Sequence, residues 1–301
     1  MKEKLRKALT IILMVVFVSS TAMMIYQNMN YQDGDEAYSA AQDISGLNTQ
    51  SSSQTPEQDL LLKEEAEPST EEETDNVIVE EILQEQTEEV PVPEIWIPAV
   101  VEDDPEMESL RQTDLAALRE VNEDVVGWIS IPGTVINYPI MQGEDNEYYL
   151  HYTWDGKKST VGAIFMECTN TSDFSDFHTI IYGHHLKSKK MFSAIRNYKR
   201  KEYWEAHPYI YIVTDADVYR YEIYASYEAE VDGDTYRLGF REGGKRVFLE
   251  LGLEKTVIDT GVIPEVTDKF LTLSTCTGGG YATRWVVQAR LPMIKQNDSD
   301  R

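Results

Sequence analysis

Eight short stretches of this chain carry apolar and β-branched residues at or near the two-residue period of a strand, and they limit its fold more than any other feature. They run 126–131, 135–140, 161–166, 178–182, 209–213, 218–227, 270–274 and 284–291, with Pro132-Gly133 and Asp155-Gly156 marking turns between them. Strands of this length and number favour a sheet closed on itself, because closure leaves no unpaired edge. Helical spacing interrupts them twice. Met191, Phe192, Ile195 and Tyr198 share a face within 191–203, and Val247, Phe248, Leu251 and Leu253 recur within 245–258, between the sixth and seventh strands. Leu110, Leu115, Leu118 and Val121 make a third helical pattern ahead of the first strand. The expectation is a mainly β domain over 107–301: an eight-stranded closed β-barrel with an N-terminal helix and a helix in the loop between strands six and seven.

The part before that domain is divided by charge. Residues 33–108 hold 24 acidic residues and a single basic one, Lys63, within a chain of net charge −26, whereas the rest is nearly balanced. The acidity therefore describes a segment and not the barrel surface. A stretch so charged and poor in aromatics buries too little apolar surface to offset its chain entropy, so 27–106 reads as a disordered acidic linker. Ahead of it, 8–26 is an apolar run just long enough to cross a hydrocarbon core as a helix. Its flank, 1–7, carries Lys2, Lys4, Arg6 and Lys7, which places the N-terminus in the cytoplasm and the barrel outside the cell membrane, single-pass. Ser19, Ser20, Thr21 and Ala22 also suit a cleaved signal peptide, but no A-x-A site follows, and a retained signal anchor is preferred. On this division 1–108 is dispensable for chemistry in solution.

Only two cysteines occur, Cys168 and Cys276. A disulfide between them would consume both, and Cys168, just after a strand, reads as an unpaired, partly buried thiol. Cys276 ends the run Phe270-Leu271-Thr272-Leu273-Ser274-Thr275 and precedes Gly278-Gly279-Gly280, a loop that lets backbone approach a substrate. Taken singly, a cysteine at a strand end is more often a small core residue. Two further motifs change that balance. Tyr182-Gly183-His184 follows the fourth strand, and Arg284 opens the last one, eight positions after Cys276.

Gly183-His184, Thr272-Leu273-Ser274-Thr275-Cys276 and Arg284, in this order along the chain, resemble the motifs of the sortases, membrane-anchored cysteine transpeptidases of Gram-positive cell surfaces. The resemblance spans about 110–292. The N-terminal helix and the helix-bearing loop between strands six and seven resemble class B in particular, and so imply a sortase-type barrel. The resemblance makes Cys276 the nucleophile, His184 the general acid and base, and Arg284 the oxyanion donor. It sets Ser274, Thr275, Asn146 and Tyr182 along the substrate groove, although strand serines are commonly just small fillers and Asn146 suits a turn equally well. Where a class B relative carries an acidic residue after the cysteine, this chain has Thr277. His185 on a strand faces away from His184, and Arg290, six residues beyond Arg284, lies further from the cysteine. His151, His178 and His207 lack partners at metal spacing, so neither a metal nor another cofactor is expected, and the basic loop helix argues against a calcium requirement.

The implied reaction is cleavage of a surface-protein sorting motif of the LPxTG or NPxTN kind after threonine, a thioester on Cys276, and transfer to an amine of peptidoglycan or its precursor. Its partners are sorting-motif proteins and that amine, with no nucleic acid, and the protein is a monomer. Two alternatives stand beside it: a cysteine peptidase that releases the acyl group to water, and a catalytically silent, membrane-tethered binding module.

Overall fold

A computed structural model describes residues 2–47, 94–241, 243–276 and 282–296. Most of the expected linker, 48–93, and the glycine loop after Cys276 lie outside the described residues. Ten strands are present among the described residues: β1 (Trp96–Pro98), β2 (Val125–Ser130), β3 (Asn137–Met141), β4 (Ile164–Met166), β5 (His178–Tyr182), β6 (Tyr209–Val213), β7 (Val218–Glu230), β8 (Lys269–Cys276), β9 (Thr283–Leu291) and β10 (Met293–Lys295). β2 to β9 close into a barrel in the order β2-β3-β4-β5-β8-β9-β7-β6, as the eight stretches lead one to expect. Two neighbours, β3 with β4 and β5 with β8, run parallel, and the other pairs are antiparallel. The remaining two strands, β1 and β10, pair with each other outside the barrel.

One buried cluster spans the barrel and the elements packed on it, with Trp128, Ile129, Ile181, Leu271, Leu273 and Val287 almost wholly buried. A second, smaller core lies on the outer face of β7, β8 and β9, covered by α5 (Gly244–Lys255), the helix expected between the sixth and seventh barrel strands. Phe248 of α5 packs 5.8 Å from Phe270 of β8 and 6.1 Å from Phe177, whose ring also meets Phe240 at 4.8 Å. Burying one such ring contributes roughly 2 kcal/mol, which is ample to hold a three-turn helix on the wall.

The other helices depart from the sequence pattern in instructive ways. The stretch 110–121 is two short helices, α2 (Pro105–Leu110) and α3 (Leu115–Val121), because Asp114 restarts the chain by capping Ala117 N–H at 2.9 Å. The insertion at 191–203 is a 3-10 helix, Phe192–Lys199, followed by α4 (Lys201–Ala206).

The largest difference is at the N-terminus. The helix α1 runs unbroken over Lys2–Ile44, so the segment expected as linker from residue 27 is helical through to 44. Tyr31, Gly34, Ala37, Tyr38, Ala41 and Ile44 recur every three or four residues and pack on the barrel, while Asp33, Asp35, Glu36 and Asp43 face water. Counting charge alone hides this stripe. Tyr38 Oη donates to Gly162 O at 2.6 Å, and Trp154 Nε1 donates to Ala37 O at 2.7 Å. Removing 1–108 would take these contacts away together with β1.

Candidate active site

The site follows from strand register. β5 runs parallel to β8 with Tyr182 opposite Ser274, and Gly183 N–H donates to Ser274 O at 3.1 Å. Two residues further along the two strands come His184, just past β5, and Cys276, the last residue of β8. Antiparallel pairing of β8 with β9 then sets Cys276 across from Arg284. His184, some ninety residues earlier in the chain, is thus set at the same end of the barrel as Cys276 and Arg284.

A cleft of about 270 Å³ opens there, and Asn146, Tyr182, His184, Ser274, Thr275 and Arg284 line it. His184 is half-buried, and its Nε2 lies 2.8 Å from Leu150 O. A carbonyl only accepts, so Nε2 carries hydrogen, and Nδ1 is the nitrogen left to gain or lose a proton. The ring rests on Gly162 at φ +63°, where an added Cβ would come 2.7 Å from His184 Cδ2 and 2.8 Å from Tyr149 O. Only glycine fits beneath the histidine. Gly183 is equally confined, since a Cβ there would meet Ile164 Cδ1 at 2.5 Å and Phe192 at 2.7 Å. Arg284 is half-buried, with Nη1 donating to Thr283 O at 3.0 Å.

Ser274 Oγ and Tyr236 Oη share a hydrogen bond of 2.8 Å, and the Tyr236 ring stacks toward Tyr182 with centroids 6.5 Å apart. Thr275 is 2 % exposed, and its Oγ1 finds no hydrogen-bond partner among the described residues. Tyr236 and Val231, from the segment between β7 and α5, complete the wall and escaped the sequence reading. Nothing local marks them; they sit in the connection that the class B resemblance describes only as groove-lining.

The residues set aside by the sequence reading are elsewhere. His185 bridges to Met191 outside the cleft, and burial and then the nearby Arg196 lower its pKa. Arg290 lies at the far end of β9, ion-paired with Glu222 and Asp268. His207 Nδ1 lies 2.9 Å from Pro132 O, remote from the cleft. Cys168 is a free, half-buried thiol, and burial and then the carboxylate of Glu167 raise its pKa, which keeps it protonated and a poor nucleophile.

The comparisons with known proteins agree with one another. Residues 129–292 match the family model described as the Sortase domain. Sortase B of Listeria monocytogenes is 37% identical over 181 residues, covering 59% of this chain and 74% of the relative. The structure of a Staphylococcus aureus sortase B–substrate complex aligns with a TM-score of 0.56 at 31% identity, over 61% of this chain and 85% of that one. A crystal structure of sortase B complexed with triglycine aligns with the same score and identity, over 60% and 86%.

Proposed function

This chain belongs to the sortase family as a class B cysteine transpeptidase that anchors surface proteins, and from that premise we propose that Cys276, His184 and Arg284 carry the reaction. The observation behind this assignment is the register that brings the ends of β5, β8 and β9 to one cleft. A free thiol near pKa 8.5 is only a few per cent ionised at neutral pH, and a guanidinium across the ladder favours its thiolate. The thiolate of Cys276 attacks the carbonyl carbon of the scissile peptide bond, and Arg284 donates to the oxyanion that forms. As the C–N bond breaks, the His184 imidazolium gives its Nδ1 proton to the leaving amine. The thioester then takes an incoming amine, which loses a proton to His184 as the Cys276 thiolate departs.

The substrate in this reading is a sorting motif of the LPxTG or NPxTN kind, cut after threonine by an endopeptidase step and passed to a cell-wall amine. A sortase B–substrate complex and a sortase B with triglycine among the similar structures support a peptide donor and an amine acceptor. Asn146, Tyr182, Ser274 and Thr275 are the proposed contacts with the peptide.

We assign α1 as a retained anchor. It is the helix long and apolar enough to cross a membrane among the described residues, and 12–26 is exposed throughout. Its N-terminus faces the cytoplasm and the barrel lies outside. Tyr38 follows Tyr26 by twelve residues, about 18 Å of helix. Both flanks of 48–93 rest on the domain, through Asp114 N–H to Ser45 O and through β1. The acidic segment therefore does not separate anchor from barrel.

The test is product analysis. The full chain in detergent is given a fluorogenic sorting-motif peptide with and without triglycine. The reading predicts peptide cleavage and an amide product when triglycine is added. Hydrolysis alone, unchanged by the amine, would contradict it.

A further inference from the structure

One buried carboxylate at the cleft has no part in the mechanism above. Glu167 follows β4 directly and is 9 % exposed. Its Oε2 accepts from Asn146 Nδ2 at 2.8 Å and from Tyr182 Oη at 2.9 Å. Its Oε1 accepts from Thr169 Oγ1 at 3.2 Å and from Cys168 Sγ at 3.4 Å. No lysine or arginine among the described residues forms an ion pair with it. Burial raises the pKa of Glu167, but the hydrogen bonds from Asn146, Tyr182 and Cys168 outweigh that and bring it below the ordinary value. A charge kept in so dry a place with neutral partners alone is costly, and a packed barrel has no need of it.

The chemistry of the acceptor explains what it does. An ionised carboxylate can only accept, so each partner must turn a hydrogen toward it. Asn146 is thereby fixed in one orientation: Nδ2 faces Glu167, and Oδ1 takes Cys168 N–H at 2.9 Å. Tyr182 commits its only hydroxyl hydrogen, so its oxygen presents nothing but lone pairs to the cleft. Burial and then the Glu167 charge raise the Tyr182 pKa, which keeps the phenol protonated. Both side chains line the cleft, and Tyr182 stands two residues before His184.

We propose that Glu167 is a positioning residue for the sorting peptide: it sets the hydrogen-bond polarity of the cleft, making Tyr182 an acceptor and Asn146 a donor toward the peptide backbone. This deepens the transpeptidase reading and rests on it. Glu167 does not act on the sulfur, so its effect falls on peptide recognition and not on thiol reactivity.

The experiment uses the full chain in detergent, with KM and kcat measured on a fluorogenic sorting-motif peptide and Cys276 reactivity measured separately with iodoacetamide. Glu167→Gln keeps the shape but brings an amide that can also donate, and KM should rise about tenfold or more while the alkylation rate stays within about twofold. Glu167→Asp, which keeps the acceptor, should recover part of the loss. Tyr182→Phe and Asn146→Ala should each raise KM with Glu167 intact, and Glu167→Gln added to the pair should cost little more. An unchanged KM in folded Glu167→Gln overturns the proposal, as does alkylation slowed as much as turnover. If Glu167→Gln does not fold, unchanged KM values for both Tyr182→Phe and Asn146→Ala overturn it just as well. Failure of the wild-type chain to cleave the peptide is a separate result, which sinks the transpeptidase reading itself.

Discussion

The strands β5, β8 and β9 carry a histidine and an arginine at each end of the barrel, and the two ends do different work. At one end His178 is fully enclosed, with Nε2 2.7 Å from Thr272 Oγ1 and Nδ1 2.9 Å from Arg237 O. Beside it Gln288 Nε2 donates to Thr272 Oγ1 at 3.2 Å, and Arg290 is tied to Glu222 and Asp268. Each of these polar side chains has its partner, and His178 packs against Phe248 of α5, ring centroids 4.5 Å apart. At the other end His184 and Arg284 border a cleft, and β8 ends at Cys276, across the ladder from Arg284. Residue type alone does not separate structural from chemical roles. Enclosure and complete pairing make one end a fastener, and the open cleft at the other end is where the proposed reaction is placed.

Substitutions that exchange the two ends sharpen this contrast. The largest effect is expected from His184→Ala, which removes the proton carrier and should lower turnover by about a hundredfold to ten-thousandfold while Cys276 still reacts with iodoacetamide. Arg284→Lys keeps a charge but loses the planar fork, and kcat should fall by roughly a hundredfold to a thousandfold with KM little changed. Loss of thiol reactivity in His184→Ala would move the histidine's role from the leaving group to the sulfur.

At the enclosed end the effects fall on stability. Burial lowers the His178 pKa to about 4, so the folded chain refuses a proton that the unfolded chain accepts near 6.5. That stability is complete above pH 6.5 and is lost as pH falls toward 4, by about 3 kcal/mol in all. Urea unfolding at pH 7 and pH 5 should show most of that loss in the wild type and a flatter profile in His178→Gln. Equal slopes in the two proteins would show that another group titrates.

Arg290→Ala leaves Asp268, 3 % exposed as a side chain, without its cation. The expected cost is about 3 kcal/mol, at the low end for a broken buried pair because Arg290 and Glu222 are themselves partly exposed. Activity per folded molecule should be retained. The smallest effect belongs to His185→Ala, which touches neither the cleft nor a buried charge and should keep kcat/KM within about twofold. A dead His185→Ala would reverse the choice between the adjacent histidines.

How far the sequence disclosed this arrangement depended on whether the signal was local. β5 and β6 are bounded as the alternation suggests, because turn-forming or polar residues close both runs. The motif around Cys276 and its distance to Arg284 are local too, and the ladder needs only those spacings to pair them. Glu167 and Tyr236 reach the cleft through contacts with residues 15 to 38 positions away, which no period reveals. The C-terminal half of α1 was hidden for another reason. Its acids set the average of the segment, while the small and aromatic residues that dock it lie on the opposite face.

The central claim is that the open end of these strands performs covalent chemistry through Cys276. Intact-protein mass spectrometry after mixing the full chain with a sorting-motif peptide, followed by acid quench and peptide mapping, tests it most directly. The account predicts an added mass equal to the acyl part of the peptide, carried on Cys276, absent from Cys276→Ala and removed by triglycine. An adduct on Cys168, or continued cleavage by Cys276→Ala, would contradict it.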